Sequence, residues 1–101
     1  MIEISSVQSF DEIVNNNDTI VVKFHAEWCA PCKMYSSTFN SVADSYDESV
    51  PFVSVNVDNV PDLSSRYGIR SVPSTLVLKS GNVHQLKVGV LSESDLKSIM
   101  I

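Results

Sequence analysis

The spacing of apolar residues along the chain switches repeatedly between a period of two and a period of three to four, and each switch marks an element. Residues 2–5 (IEIS) alternate as a short strand, and residues 9–15 predict a short helix that starts at a Ser or Asp cap and stops at the NNND run. Residues 19–26 (TIVVKFHA) are β-branched and nearly all apolar, as in a central strand covered on both faces. From Pro31 to about Tyr46 the residues Met34, Tyr35, Phe39, Val42, Ala43 and Tyr46 recur at steps that make one face of a long amphipathic helix.

Strict alternation returns at residues 51–58 (PFVSVNVD). Residues 61–68 (PDLSSRYG) read as one or two helical turns with a proline start and a glycine stop. Residues 74–89 form a hairpin turning at Ser80-Gly81, and residues 92–100 a helix with Ser92 as cap and Asp95 three positions on. The order is β-α-β-α-β-α-β-β-α. Strands separated by helices are expected to be parallel crossovers, and the last hairpin must be antiparallel. The fold class is therefore α/β, a central mixed sheet flanked by helices on both faces.

Length fits a single domain over residues 1–101, large enough to bury a core without covalent staples. A hydrophobic fraction of 44% and a charged fraction of 19% are those of a globular protein, and the net charge of −5 argues against nucleic acid as a partner. No stretch approaches the roughly 18 apolar residues of a membrane span, so no membrane partner is expected. The N-terminal residues have no basic start and no apolar signal core. With only two cysteines, these features predict a reducing, cytoplasmic setting.

Those two cysteines carry the candidate chemistry. Cys29 and Cys32 stand in FHAEWCAPCK, where the second strand ends and the long helix begins. A helix N-terminus presents unpaired amides and partial positive charge, which favours a thiolate over a thiol. Ala30 precedes a proline and is biased away from helical geometry, so the helix is expected to start at Pro31, with Cys29 just ahead and Cys32 in the first turn. One turn of separation suits a disulfide, so the pair can cycle between dithiol and disulfide. Two other roles compete. A structural bridge would close so short a loop that it constrains the unfolded chain little. A zinc site would have to draw on Cys29, Cys32, His25 and His84, a set without single-chain metal spacing, and no metal is expected.

The segments AEWCAPCK, YGIRSVPSTLVLKSG and KVGVLSESDLK, in that order, resemble the thioredoxin family from near the first residue to the last. The resemblance implies the thioredoxin fold and a protein-disulfide reductase with no bound cofactor. It makes Cys29 the nucleophile that attacks a client disulfide, and Cys32 the resolving thiol. It places Trp28, Val72, Pro73 and Gly89 at the client-docking surface, with a cis bond between Val72 and Pro73, and Pro31 between the cysteines. It further implies disulfide-containing clients and a thioredoxin reductase as electron donor. The protein is expected to act as a monomer. Two alternatives to the reductase are a more oxidising thioredoxin-like oxidant or isomerase, and a redox-silent binding subunit on the same fold.

Departures from the family pattern fall close to the cysteines. Lys23 stands where the family has a buried acid, and Ser54 where it has a lysine. Ala30 replaces a glycine, Ser37 a helix-kinking proline, Ser71 a glycine, and His25 a tryptophan. Alternation puts Lys23 on one side of its strand with Val21 and His25, so it shares a face with a core residue. Burial would disfavour its ammonium. A neutral amine could act as a base toward Cys32, a charged one would favour the thiolate and raise the reduction potential, and a lysine that snorkels to solvent would do neither. His25, of a residue type that changes charge near neutral pH, either tunes Cys29 or caps the strand end.

Overall fold

A computed structural model describes residues 2–101, and its elements follow the expected order. They are β1 (Ile2–Ile4), α1 (Val7–Asn16), β2 (Thr19–His25), α2 (Ala30–Ser45), β3 (Phe52–Asn56), α3 (Pro61–Tyr67), β4 (Ser74–Lys79), β5 (Asn82–Val88) and α4 (Glu93–Ile99). The five strands form one sheet in the order β1-β3-β2-β4-β5.

The three leading strands are parallel to one another, with β1 and β2 both paired to β3. The β4 strand corrects the expectation that every helix-separated strand is a parallel crossover: it runs antiparallel to β2, with Ser74 opposite Phe24 and Lys79 opposite Thr19. The cause lies in the connection. After the short α3, Gly68 takes a left-handed conformation (φ 66°) and residues 69–73 pass the end of β2 that carries the cysteines, so the chain enters β4 from that end. The β5 strand returns antiparallel beside β4 through Ser80 (φ 52°) and Gly81 (φ 78°). Two successive positive φ values are what a two-residue hairpin turn demands.

Alternation along β2 divides the core. Ile20, Val22 and Phe24 pack with Phe10 of α1 and Leu63 of α3 on one face. Val21 packs with Tyr35, Phe39 and Val42 of α2 and with Leu96 and Ile99 of α4 on the other. Each large apolar side chain removed from water in this way contributes about 1.5–3 kcal/mol. The two layers hold β2 rigidly between them, and its carboxyl end is therefore a fixed platform.

Helix boundaries follow local capping. The first helix begins at Val7, earlier than the expected Ser9, because the hydroxyl of Ser6 accepts the backbone N–H of Ser9 at 3.0 Å. That bond serves one of the four amides a helix start leaves unpaired. Ser92 caps α4 in the same manner through the Asp95 N–H. The long helix begins at Ala30, one residue ahead of expectation, with Cys29 as its cap and Pro31 in its first turn. It is continuous from Ala30 to Ser45, as befits Ser37, which retains the amide a proline would lack.

Candidate active site at the end of the second strand

His25 ends β2, and four residues later Cys29 caps α2. Its Sγ accepts the backbone N–H of Cys32 at 3.1 Å, so the sulfur occupies the place a serine oxygen takes at an ordinary helix start. Cys29 and Cys32 are joined as a disulfide with Cα atoms 5.3 Å apart. Both are enclosed, at 4% and 2% exposure, by Ala26, Val57 and Val72. The pairing therefore lies within a single helical turn.

Val72 reaches this pair from the loop before β4. The Val72-Pro73 bond is cis, and the Val72 carbonyl oxygen lies 3.6 Å from Cys29 Sγ. Gly89, just past β5, has φ 100° and donates its N–H to the Pro73 carbonyl at 2.8 Å. A residue with a side chain would be strained in that conformation. Three segments distant in sequence thus meet at one end of the sheet.

Trp28 is 71% exposed, yet its position is fixed: indole Nε1 donates to Asp58 Oδ2 at 3.0 Å. Together with Val57, Ile69, Arg70 and Val72 it lines a shallow groove of about 150 Å³ beside the cysteines. Met34, two residues past Cys32, Val88, at the end of β5, and Val90, just beyond it, are further exposed apolar residues. The end of the sheet therefore offers an open groove whose Val57 and Val72 also pack against the cysteines.

Beneath the platform Lys23 is only 3% exposed, which excludes the snorkelling arrangement. Its Nζ donates to Ser36 Oγ at 2.8 Å and sits 5.2 Å from the centre of the Phe39 ring. The Ser36 hydroxyl in turn donates to the Cys32 carbonyl at 3.0 Å. Burial pushes the Lys23 amine below its usual range, and the charge of Glu3 opposes this in part. His25 does not turn to the cysteines. Its Nε2 meets both carboxylate oxygens of Glu3 at 3.3 Å, and Ser54 Oγ donates to the same carboxylate at 2.6 Å.

The structure thus brings Cys29, Cys32, Val72, Pro73, Gly89 and Trp28 to one end of the sheet, sets Pro31 inside the helix start, buries Lys23 within β2, and directs His25 toward Glu3 on β1. Three participants escaped sequence reasoning: Ser36, Asp58 and Glu3. Ser36 was findable, since it lies one turn after Cys32 on the face that Lys23 meets. Asp58 and Glu3 gave no local signal. His84, the remaining candidate ligand for a metal, bonds the Ile101 carbonyl oxygen at 2.7 Å from β5, and among the described residues no three metal-binding side chains cluster.

Comparison with known proteins agrees with this geometry. A family model for thioredoxin matches residues 1–101. The thioredoxin of the alga Porphyra purpurea is 36% identical over 89 residues, covering 88% of this chain and 83% of the relative. That of Pseudomonas aeruginosa is 30% identical over 100 residues, covering 99% and 93%. The structure of Plasmodium falciparum thioredoxin superposes with a TM-score of 0.91 at 30% identity, covering 99% of this chain and 96% of that one. With the family matched over its whole length and its two cysteines paired at a helix start, the chain belongs to the thioredoxin family and is a thiol-disulfide oxidoreductase of proteins.

Proposed function

We propose that the chain acts as a single-domain reductase in which Cys29 attacks and Cys32 resolves. The observation that carries this assignment is the capping of α2 by Cys29. Its sulfur receives a backbone N–H, which favours negative charge there, and it lies 3.6 Å from the carbonyl oxygen of Val72, a residue that lines the groove. Cys29 thiolate attacks one sulfur of a client disulfide, forms a mixed disulfide and releases the client's other sulfur as thiolate. Cys32 thiolate then attacks Cys29 Sγ, forms Cys29–Cys32 and expels the client's remaining thiolate. Both expelled thiolates take up protons, and two electrons have passed from the protein to the client.

The client segment docks in extended form on the Val72 backbone, between Trp28 and Gly89, with Pro73 shaping the loop. The exposed apolar rim and the open groove support this placement. Pro31 and Lys23 tune the cysteines, whereas His25, held by Glu3, serves the end of the strand. Clients and reductases are partners of the family in general, and here a thioredoxin reductase restores the dithiol. The chain works as a monomer in the cytoplasm, a setting in which a lone cysteine pair serves chemistry and not scaffolding. The oxidising and redox-silent alternatives are not favoured by the family relationship.

Single-cysteine variants test the assignment. Incubated with a disulfide-bonded reporter protein, Cys32→Ser should accumulate a covalent mixed disulfide visible without reductant, and Cys29→Ser should form none. The reverse pattern would exchange the two roles.

A further inference from the structure

Arginine is scarce in this chain, and its two guanidinium groups are used differently. Arg66 is committed to Asp11. Arg70 is exposed, lines the groove beside the cysteines, and takes part in neither of the ion pairs among the described residues. Its neighbour Ser71 is also exposed and also lines the groove. The bond that Ser74 makes to residue 71 goes to the backbone carbonyl at 2.7 Å, which leaves the Ser71 hydroxyl unengaged.

The rest of the groove limits what these two donors can receive. Its volume of about 150 Å³ falls well below the roughly 300–1,000 Å³ of small-molecule sites, and is room for about one side chain. Trp28, Val57, Ile69 and Val72 supply apolar walls, and Arg70 is the one ionisable side chain lining it. Asp58, the acid bonded to Trp28, does not itself line the groove. In a chain of net charge −5, an unpaired arginine at this place is not part of a general basic surface.

A guanidinium presents a planar fork of donors that matches a carboxylate, and a hydroxyl beside it adds one more. We propose that Arg70 and Ser71 select clients carrying a glutamate or aspartate close to the attacked cysteine, with the carboxylate on this pair and its methylenes on the apolar walls. The inference rests on the reading that a client docks at Val72 for attack by Cys29. Val72 joins the two places, since it lines the groove and its carbonyl oxygen lies 3.6 Å from Cys29 Sγ. A client held there brings its neighbouring residues over the groove. The family pattern has a glycine at position 71, so the second donor belongs to this chain in particular.

The net charge acts in the opposite sense, because it repels an acidic client at long range. At about 0.15 M salt, charges separated by more than about 8 Å are largely screened, whereas a pair in direct contact within a groove is screened less. Contact therefore decides at that ionic strength.

Peptide disulfides test the selection. Glutamate, glutamine or lysine is placed in turn at each position flanking the peptide cysteine, and reduction by the full chain is followed by mass at pH 7, where glutamate is ionised. At one or more positions the parent should favour glutamate over glutamine by about threefold to tenfold in kcat/KM, carried by KM. Arg70→Gln should reduce the two peptides equally. Arg70→Lys keeps the charge without the fork, so it and Ser71→Gly should each retain part of the preference. Equal reduction of glutamate and glutamine peptides by the parent at every position overturns the proposal, as does a preference that persists in full in Arg70→Gln. A preference undiminished in Ser71→Gly overturns the part given to Ser71. Reduction of the peptides by Cys29→Ser, or of none of them by the parent, would instead overturn the reading on which the selection rests. Circular dichroism of each variant verifies that the fold is retained.

Discussion

Trp28 and Asp58 are joined by a 3.0 Å hydrogen bond between an indole that stands largely in solvent and a carboxylate just after β3. The bond fixes an aromatic plane at the edge of the groove beside the cysteines. Asp58→Ala should release it. A hydrogen bond to a charged group contributes about 1.5–3 kcal/mol when its partner is enclosed, and less in solvent. A rise of about threefold to tenfold in KM for a protein disulfide is expected, with a smaller change for a small-molecule disulfide. Trp28 emission should also shift. Equal effects on both substrates would place the role of Asp58 elsewhere.

Lys23 makes stability fall with falling pH, the direction of ordinary acid denaturation, but in a window that begins at a far higher pH. Its folded-state pKa is depressed, so between that value and the unfolded value of 10.5 the unfolded chain binds more protons than the native one. The Lys23 contribution to stability is complete above the unfolded value and is lost as pH falls through the folded one. Lys23→Met should therefore be more stable than the parent by about 1 kcal/mol or more at pH 7. Urea titrations at successive pH values should show that advantage narrowing toward pH 10.5. A gap independent of pH would mean that the lysine is paired in a way the structure does not contain.

Tyr35 and Thr75 form a fully enclosed hydroxyl pair at 2.7 Å across the α2–sheet interface. Removing one hydroxyl leaves the other without a partner. Tyr35→Phe and Thr75→Val should each cost about 1–2 kcal/mol, and the double variant should cost less than their sum. A double-mutant cycle by denaturant unfolding measures the coupling directly, and simple additivity would deny it.

Arg66 of α3 and Asp11 of α1 pair at 2.6 Å, and the guanidinium holds the Asp11 carboxyl below its ordinary pKa. Both side chains are well exposed, so the pair should contribute no more than about 1 kcal/mol. Asp11→Asn should lose that amount at neutral pH. The parent should lose it as pH falls through the depressed Asp11 value, and at the acid end the two proteins should converge.

Much of this framework was legible before any coordinates. Period changes in apolar residues gave the order of elements, and Ser80-Gly81 and Ser92 marked a turn and a cap through local chemistry alone. Lys23 was assigned to the correct face because alternation in a strand permits only two choices. The start of α1 was misplaced for an equally physical reason: Ser5, Ser6 and Ser9 are all competent caps, and which one serves is decided by how the helix docks on β1 and β3. The direction of β4 was also misread. A helix between two strands usually implies a parallel crossover, but α3 is short, and the loop through Val72 and Pro73 carries the chain back past β2 before pairing begins.

The site shows the same division. Cys29, Cys32 and Pro31 lie within four residues, and spacing gave their arrangement around the start of α2. Val72, Pro73 and Gly89 were placed through family resemblance, and nothing in their own neighbourhoods announces a shared surface. Ser36, Asp58 and Glu3 matter through contacts spanning from 13 to 51 positions along the chain. Such partners are set by the packing of α2 and by strand register, which local pattern does not specify.

The sulfur that caps α2 changes chemical character during the catalytic cycle, and the backbone N–H of Cys32 is bonded to it directly. A thiolate is a stronger acceptor than a disulfide sulfur, so the hydrogen bond from the Cys32 amide should be stronger in the reduced protein than in the oxidised one. Secondary structure is in that sense part of the redox couple. A single amide, that of Cys32, should report the oxidation state by its exchange with deuterated solvent, faster when the disulfide is closed and slower when it is open.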